Sequence, residues 1–353
     1  MMPEGIKLFY GKQFVDCFQA VTRTANFSFD MSYEEVVNIA KPYLVKKGKE
    51  CIDKDESLFK VSVLVHGDEK KQIILVFSVS TVLVDVHTFY CLYEQMNGNK
   101  EGRALNAIRN TDYTKTLRST LGKAEMSWMH ESSSRQNGIA LSLCFSTPVR
   151  VAASYLDEET WLPTAKKTHT IGTSWVSTND ILTSWFFNLC QCDYAFMKVN
   201  FRGRMLDLSE THAGNYSDAI LYRPEDFDQP ILIRKSLAGF RRAARIESYF
   251  WKGKTHGTSL PGVVASLQNN SAAAENWCGA YRNVLLPGHI QLLHLPIITD
   301  FQLLPHRNTM YIFKPTAGAV GILTFVRDML LIDEEYNPRK GLILSAKKTT
   351  NMI

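Results

Sequence analysis

Residues 80–90 read Ser-Thr-Val-Leu-Val-Asp-Val-His-Thr-Phe-Tyr, and several of these side chains could do chemistry. The Asp85 carboxylate can hold a cation or cap a helix. The His87 imidazole can carry a proton near neutral pH. Thr81, four residues before Asp85, offers only a hydroxyl, which does not ionise in that range. None of the nine histidines has an aspartate four residues on. Three further groups could matter. His212 precedes a Gly214-Asn215 turn, and Arg202 and Arg204 follow an apolar strand. Arg241, Arg242 and Arg245, with Arg234, Lys235, Lys252 and Lys254, make the densest basic cluster. Cys190 and Cys192 lack the second ligand pair a zinc site needs and read as buried thiols, so no metal is expected.

The elements that position these residues follow from pattern. Leu58–His66 and Gln72–Ser80 read as strands joined by a polar turn, the second apolar enough to be buried on both faces. Asp85 then opens a helix that ends near Asn97-Gly98. Upstream, Ser32-Tyr-Glu-Glu35 is a capping box before a helix that Pro42 kinks or shortens. Residues 97–136 read as irregular with short helices, Ile139–Phe145 and Val149–Tyr155 as strands, and Leu156–Thr178 as a crossover. Ser177-Thr-Asn-Asp180 caps a helix with Ile181, Leu182, Trp185, Phe186 and Leu189 on its core stripe. Tyr194–Phe201 reads as a strand, Ile231–Glu247 as a basic helix and Gly253–Ser271 as a loop. Strands are expected around Ile290–Ile298, Met310–Phe313 and Val320–Val326, before a basic tail from Asn337. This alternation predicts a two-lobed α/β protein, with lobes 1–155 and 156–353.

The stretch from Thr81 to Tyr90 resembles the H-x-x-x-D-G motif, often followed by x-T-x-Y, of the chloramphenicol acetyltransferase-like superfamily of CoA-dependent acyltransferases. That superfamily includes plant alcohol and amine acyltransferases and condensation domains. Asp85, Thr88 and Tyr90 fall in register; Thr81 stands at the histidine position and Val86 at the glycine position. Ser177–Trp185 resembles the family's T-x-x-D-x-L-x-A-x-x-W helix. Val199–Met205 resembles V-D-x-R-x-R-L, Ala213–Tyr216 the Y-x-G-N segment, and Ile298–Phe301 the start of D-F-G-W-G. The order agrees over roughly residues 55–330.

The resemblance implies mixed sheets flanked by helices, with a tunnel between the lobes. It implies transfer of an acyl group from an acyl-CoA-type thioester to a hydroxyl or amine, with acyl-CoA as cosubstrate and no bound cofactor. In the family the histidine is the base and the aspartate is structural, pairing with an arginine, here Arg202 or Arg204. His87 or His212 would be the substitute base, and Arg241, Arg242 and Arg245 would face the CoA phosphates. Val86 would distort a turn built for glycine, because a β-branched residue resists positive φ. The alternative is a non-catalytic ligand-binding or interaction module on the same fold, a pseudoenzyme.

Composition sets the remaining expectations. A chain of 353 residues that is 45% hydrophobic can bury a large core. A net charge of +5, with both signs interspersed, gives no reason to expect nucleic acid. The odd count of seven cysteines argues against a disulfide framework and for a reducing, cytoplasmic setting. The N-terminal residues lack a signal-peptide pattern and no apolar run reaches membrane-span length. Asn-x-Ser/Thr matches at Asn26, Asn215 and Asn269 then read as chance. A monomer is expected. No phosphate loop, Rossmann fingerprint, H-E-x-x-H or G-x-S-x-G is present.

Overall fold

A computed structural model describes residues 18–24, 27–51, 54, 56–66, 72–97, 104–122, 125, 148–170, 175–240, 270–327 and 337–343. The chain forms two compact units, residues 1–28 with 38–83, and residues 29–37 with 84–353.

The first unit carries a three-stranded sheet in the order β1 (Phe18–Thr24), β2 (Phe59–His66), β3 (Gln72–Val79). β1 runs parallel to β2, and β2 pairs antiparallel with β3 from Phe59↔Val79 to His66↔Gln72. Val61 and Leu64 are buried, as is Val76. Ile73, Ile74 and Leu75 are only half-buried, because β3 is an edge strand of this sheet. Its apolar run therefore does not mark a strand enclosed on both faces.

The second unit is built on a seven-stranded mixed sheet in the order β10-β4-β9-β8-β7-β5-β6. Its strands are β4 (Arg150–Leu156), β5 (Tyr194–Asn200), β6 (Ser217–Tyr222), β7 (Ser271–Asn276), β8 (Asn308–Thr316), β9 (Ala319–Val326) and β10 (Arg339–Leu342). β7 lies parallel between β5 and β8, and the remaining pairings are antiparallel. β4, the last strand before the expected lobe boundary, is hydrogen-bonded to β9, which follows it by more than 160 residues.

The Thr178–Cys190 helix lies over this sheet. Ser177 accepts from the Asp180 amide at 3.3 Å and the Asp180 carboxylate accepts from the Ser177 amide at 2.7 Å. Ile181, Leu182, Phe186 and Phe187 join Ala195, Met197, Ala272, Ala274, Met310 and Ile312 in the core. The buried stripe is wider than the spacing predicts, because the helix also packs on Pro224–Phe227 and Pro230–Gly239. Ser184 is buried there and donates to the Phe227 carbonyl at 2.7 Å.

Ser271–Asn276 is a central strand, although Ala-Ala-Ala favours helix in isolation. Sheet position overrides propensity, and its buried alanines let the Thr178–Cys190 helix approach closely. Ile290–Ile298 is not a strand. It is held by the His294 amide donating to the Pro315 carbonyl at 2.6 Å, and by Tyr33, which donates to the Pro296 carbonyl at 2.9 Å and accepts from the Ile298 amide at 2.8 Å. The expected basic helix ends at Gly239 among the described residues. Ile139–Phe145, most of Gly253–Ser271, and the part of the expected basic tail from Leu344 onward lie outside them. No described helix is long and apolar enough to cross a membrane.

Candidate functional site

The helix from Val86 to Glu94 starts where the sequence places it, with Asp85 as N-cap. Oδ1 of Asp85 accepts from the Thr88 amide at 3.0 Å, satisfying one of the free donors of the first turn. Oδ2 accepts from the Tyr216 amide at 2.9 Å and from Arg202 Nη1 at 2.6 Å. The two charged side chains are 2% and 0% exposed.

Arg202 uses its whole fork. Nε donates to the His212 carbonyl at 2.8 Å, Nη1 also to Asn200 Oδ1 at 3.0 Å, and Nη2 to Thr88 Oγ1 at 3.0 Å and the Gly214 carbonyl at 2.9 Å. The guanidinium lies 4.9 Å from the centre of the Tyr216 ring. Thr88 Oγ1 donates to the Gly214 carbonyl and accepts from the Gly214 amide, both at 3.0 Å. The Asp85 amide donates to the same carbonyl at 3.1 Å. Burial by itself would raise the Asp85 pKa. The Arg202 hydrogen bond and charge, with the Thr88 and Tyr216 amides, outweigh it and hold the carboxyl below its ordinary range.

Gly214 sits at φ +141°, where a Cβ would lie 1.9 Å from Arg109 Nη1 and 3.1 Å from the Tyr216 ring. This position therefore requires glycine on both conformational and steric grounds. Val86 does not. It is the first helical residue and is absent from the described residues at positive φ. The turn distortion expected from replacing glycine is not found, because Asp85 is extended (φ −90°, ψ 179°) and leads straight into helical geometry.

Thr81 lies in the exposed turn after β3, where the Leu83 amide donates to the Ser80 carbonyl at 3.0 Å. Arg204 does not share the Arg202 network; it is exposed, with its guanidinium 5.9 Å from the Phe240 ring centre. Arg241, Arg242 and Arg245 lie outside the described residues.

The two candidate histidines have different settings. His212 Nδ1 accepts from the Ser209 amide at 3.1 Å and contacts Ser209 Oγ at 2.9 Å, a local loop arrangement. His87 is buried on the first turn of its helix and lines a cavity of about 280 Å³ with Cys91, Glu94, Gln95, Glu210 and Arg282 among its walls. Its Nε2 donates to the Glu210 carbonyl at 2.9 Å and lies 3.4 Å from the Glu210 carboxylate. No described cluster of three His, Cys, Asp or Glu residues is placed to hold a metal.

Sequence reasoning missed His294. Its Nδ1 donates to the Lys314 carbonyl at 2.8 Å and its Nε2 accepts from Tyr90 at 3.1 Å, among the rings of Tyr90, Tyr93, Tyr281 and Phe313. Burial lowers its pKa to about 4. Nothing in its local sequence marks it, since its partners come from three distant segments.

The two mixed sheets flanked by helices define the chloramphenicol acetyltransferase-like fold of acyltransferases and condensation domains, and the chain has that fold. The structure of vinorine synthase matches 89% of this chain and 70% of its own length, with a TM-score of 0.51 and 12% identity. TRI101 of F. sporotrichioides, complexed with coenzyme A and T-2, matches 89% and 78% at a TM-score of 0.47 and 12% identity. The first condensation domain of the CDA synthetase matches 98% and 81% at a TM-score of 0.44 and 10% identity. No family model and no curated sequence matches the chain.

Proposed function

We propose that this protein is a ligand-binding module on the acyltransferase fold, which takes an acyl-CoA-type thioester but lacks a base at the histidine position of the motif. The observation that carries this reading is the split state of the motif. Its structural half is fully engaged, with Asp85 and Arg202 buried and every Arg202 nitrogen hydrogen-bonded. Its chemical half is a threonine hydroxyl on an exposed turn. A positioned general base is worth about 10²–10⁴ in rate, and Thr81 cannot supply it. On this reading the small-molecule partners are an acyl thioester and, at most, a hydroxyl or amine acceptor, and the protein works as a monomer in the cytoplasm. Arg241, Arg242 and Arg245 are the proposed partners of the CoA phosphates.

Multiple-turnover acyl transfer is the second reading. What supports it is His87, a buried imidazole on the wall of a cavity in the larger unit. The test is thiol release from an acyl-CoA panel with alcohol and amine acceptors, for wild type and Thr81→His. The binding reading expects no wild-type turnover beyond one equivalent, and a gain in Thr81→His. Wild-type turnover that persists over many equivalents and is lost in His87→Gln overturns it.

A further inference from the structure

The Val86–Glu94 helix brings a second reactive group to the cavity that His87 lines. Cys91 lies one turn on from His87, the i, i+4 spacing that stacks two side chains on one helix face. Its Sγ is 3.5 Å from His87 Nε2. Cys91 is a buried residue, 9% exposed, and lines the cavity wall. A carbonyl can only accept, so the 2.9 Å contact with Glu210 O makes Nε2 the protonated nitrogen and leaves Nδ1 as the basic one. The Glu210 carboxylate lies 3.4 Å from Nε2. Arg282 places a cation in the same wall, 3.6 Å from Glu94. Cys192 is a buried thiol that does not line this cavity. It donates to the Phe187 carbonyl at 3.6 Å, and burial pushes it up to about 12, which makes it inert.

We propose that Cys91 and His87 form a thiol–imidazole pair that accepts an acyl group covalently from a thioester entering this cavity. The identity of the donor rests on the thioester-binding reading above; the pairing of the two side chains does not. In the step, the Cys91 proton passes to His87 Nδ1 through cavity solvent, and the positive charge of the imidazolium, 3.5 Å away, stabilises the thiolate while Nε2 keeps its hydrogen bond to the Glu210 carbonyl. The thiolate attacks the thioester carbonyl carbon, and the bond from that carbon to the donor sulfur breaks. The departing thiolate takes the proton back from the imidazolium. The products are S-acyl Cys91 and one free thiol, with no change of oxidation state.

The experiment uses acetyl-CoA and the small thioester S-acetyl-N-acetylcysteamine, with intact-mass analysis, peptide mapping and free-thiol release. The expected result is one acyl group on Cys91, one equivalent of thiol released, and no adduct in Cys91→Ser. His87→Gln should slow acylation by about 10²-fold or more. Glu210→Gln changes a half-exposed side chain, keeps the fold, and should slow it by a smaller factor. Acylation spread over several cysteines, or equal rates in wild type, His87→Gln and Glu210→Gln, overturns the proposal. Binding of a non-reactive CoA thioether without Cys91 acylation by either donor overturns it and leaves the ligand reading standing. Acylation by the small thioester without thioether binding supports the pair and removes CoA as its donor.

Discussion

Replacing Asp85 with alanine tests whether the motif's structural half holds the larger unit together. The carboxylate is the one negative partner, among the described residues, of an Arg202 guanidinium that is fully buried. After truncation the cation would keep only neutral acceptors, namely Asn200 Oδ1, Thr88 Oγ1 and the His212 and Gly214 carbonyls. The Thr88 and Tyr216 amides would also lose their acceptor. Breaking one side of a buried pair costs about 3–5 kcal/mol, most of it the cost of the charge left behind. At about 2.1 cal/mol/K of unfolding entropy per residue, that is a fall in Tm of about 5–8 °C for a unit of this size. Urea unfolding of Asp85→Ala measures the same loss at constant temperature. The double variant Asp85→Leu with Arg202→Met removes both charges and should be more stable than Asp85→Ala alone. The reasoning fails if Asp85→Ala melts with wild type, or if the double variant is no better than the single. Acid should act through the same group. Because the folded pKa of Asp85 is depressed, its contribution is complete above the ordinary value of 3.8 and is lost as pH falls below it.

Gly214→Ala should destabilise by about 1–3 kcal/mol through backbone strain at φ +141°, even if Arg109 swings clear, and urea unfolding measures it. Val86→Gly should not improve any Thr81→His activity, since Val86 already has helical geometry; a clear synergistic gain in thiol release would contradict this. His294 and His306 should make stability pH-dependent. Burial lowers each to about 4 from 6.5, so each contributes fully above 6.5 and loses its contribution as pH falls toward 4. The loss is at most about 3 kcal/mol per ring, less because both keep some exposed surface. His306 packs 4.4 Å from the Phe196 ring centre and its Nδ1 has no partner, so His306→Phe should flatten part of that slope; an unchanged slope by chemical denaturation would refute the assignment.

What the sequence determines is local. The capping box at Ser177 and Asp180, the helix start at Asp85, and β2, β3, β5, β8 and β9 follow from periodicity and end signals within a few residues of each element. The absence of an ionisable base at Thr81 is also a property of the sequence alone. Which of two neighbouring arginines meets Asp85 is not local. Arg202 and Arg204 both follow β5, but only Arg202 turns inward, because it alone reaches the His212 and Gly214 carbonyls and Asn200. β7 was illegible because its alanines become a strand only between β5 and β8. Cys91 and His87 are close by helical spacing, yet only the return of the chain at Glu210 fixes the tautomer, and only the walls from 210, 279 and 282 make a cavity beside them. Local interactions are set by neighbours a turn or a strand away. Contacts across more than a hundred residues depend on how whole elements pack, which no short window of the sequence contains.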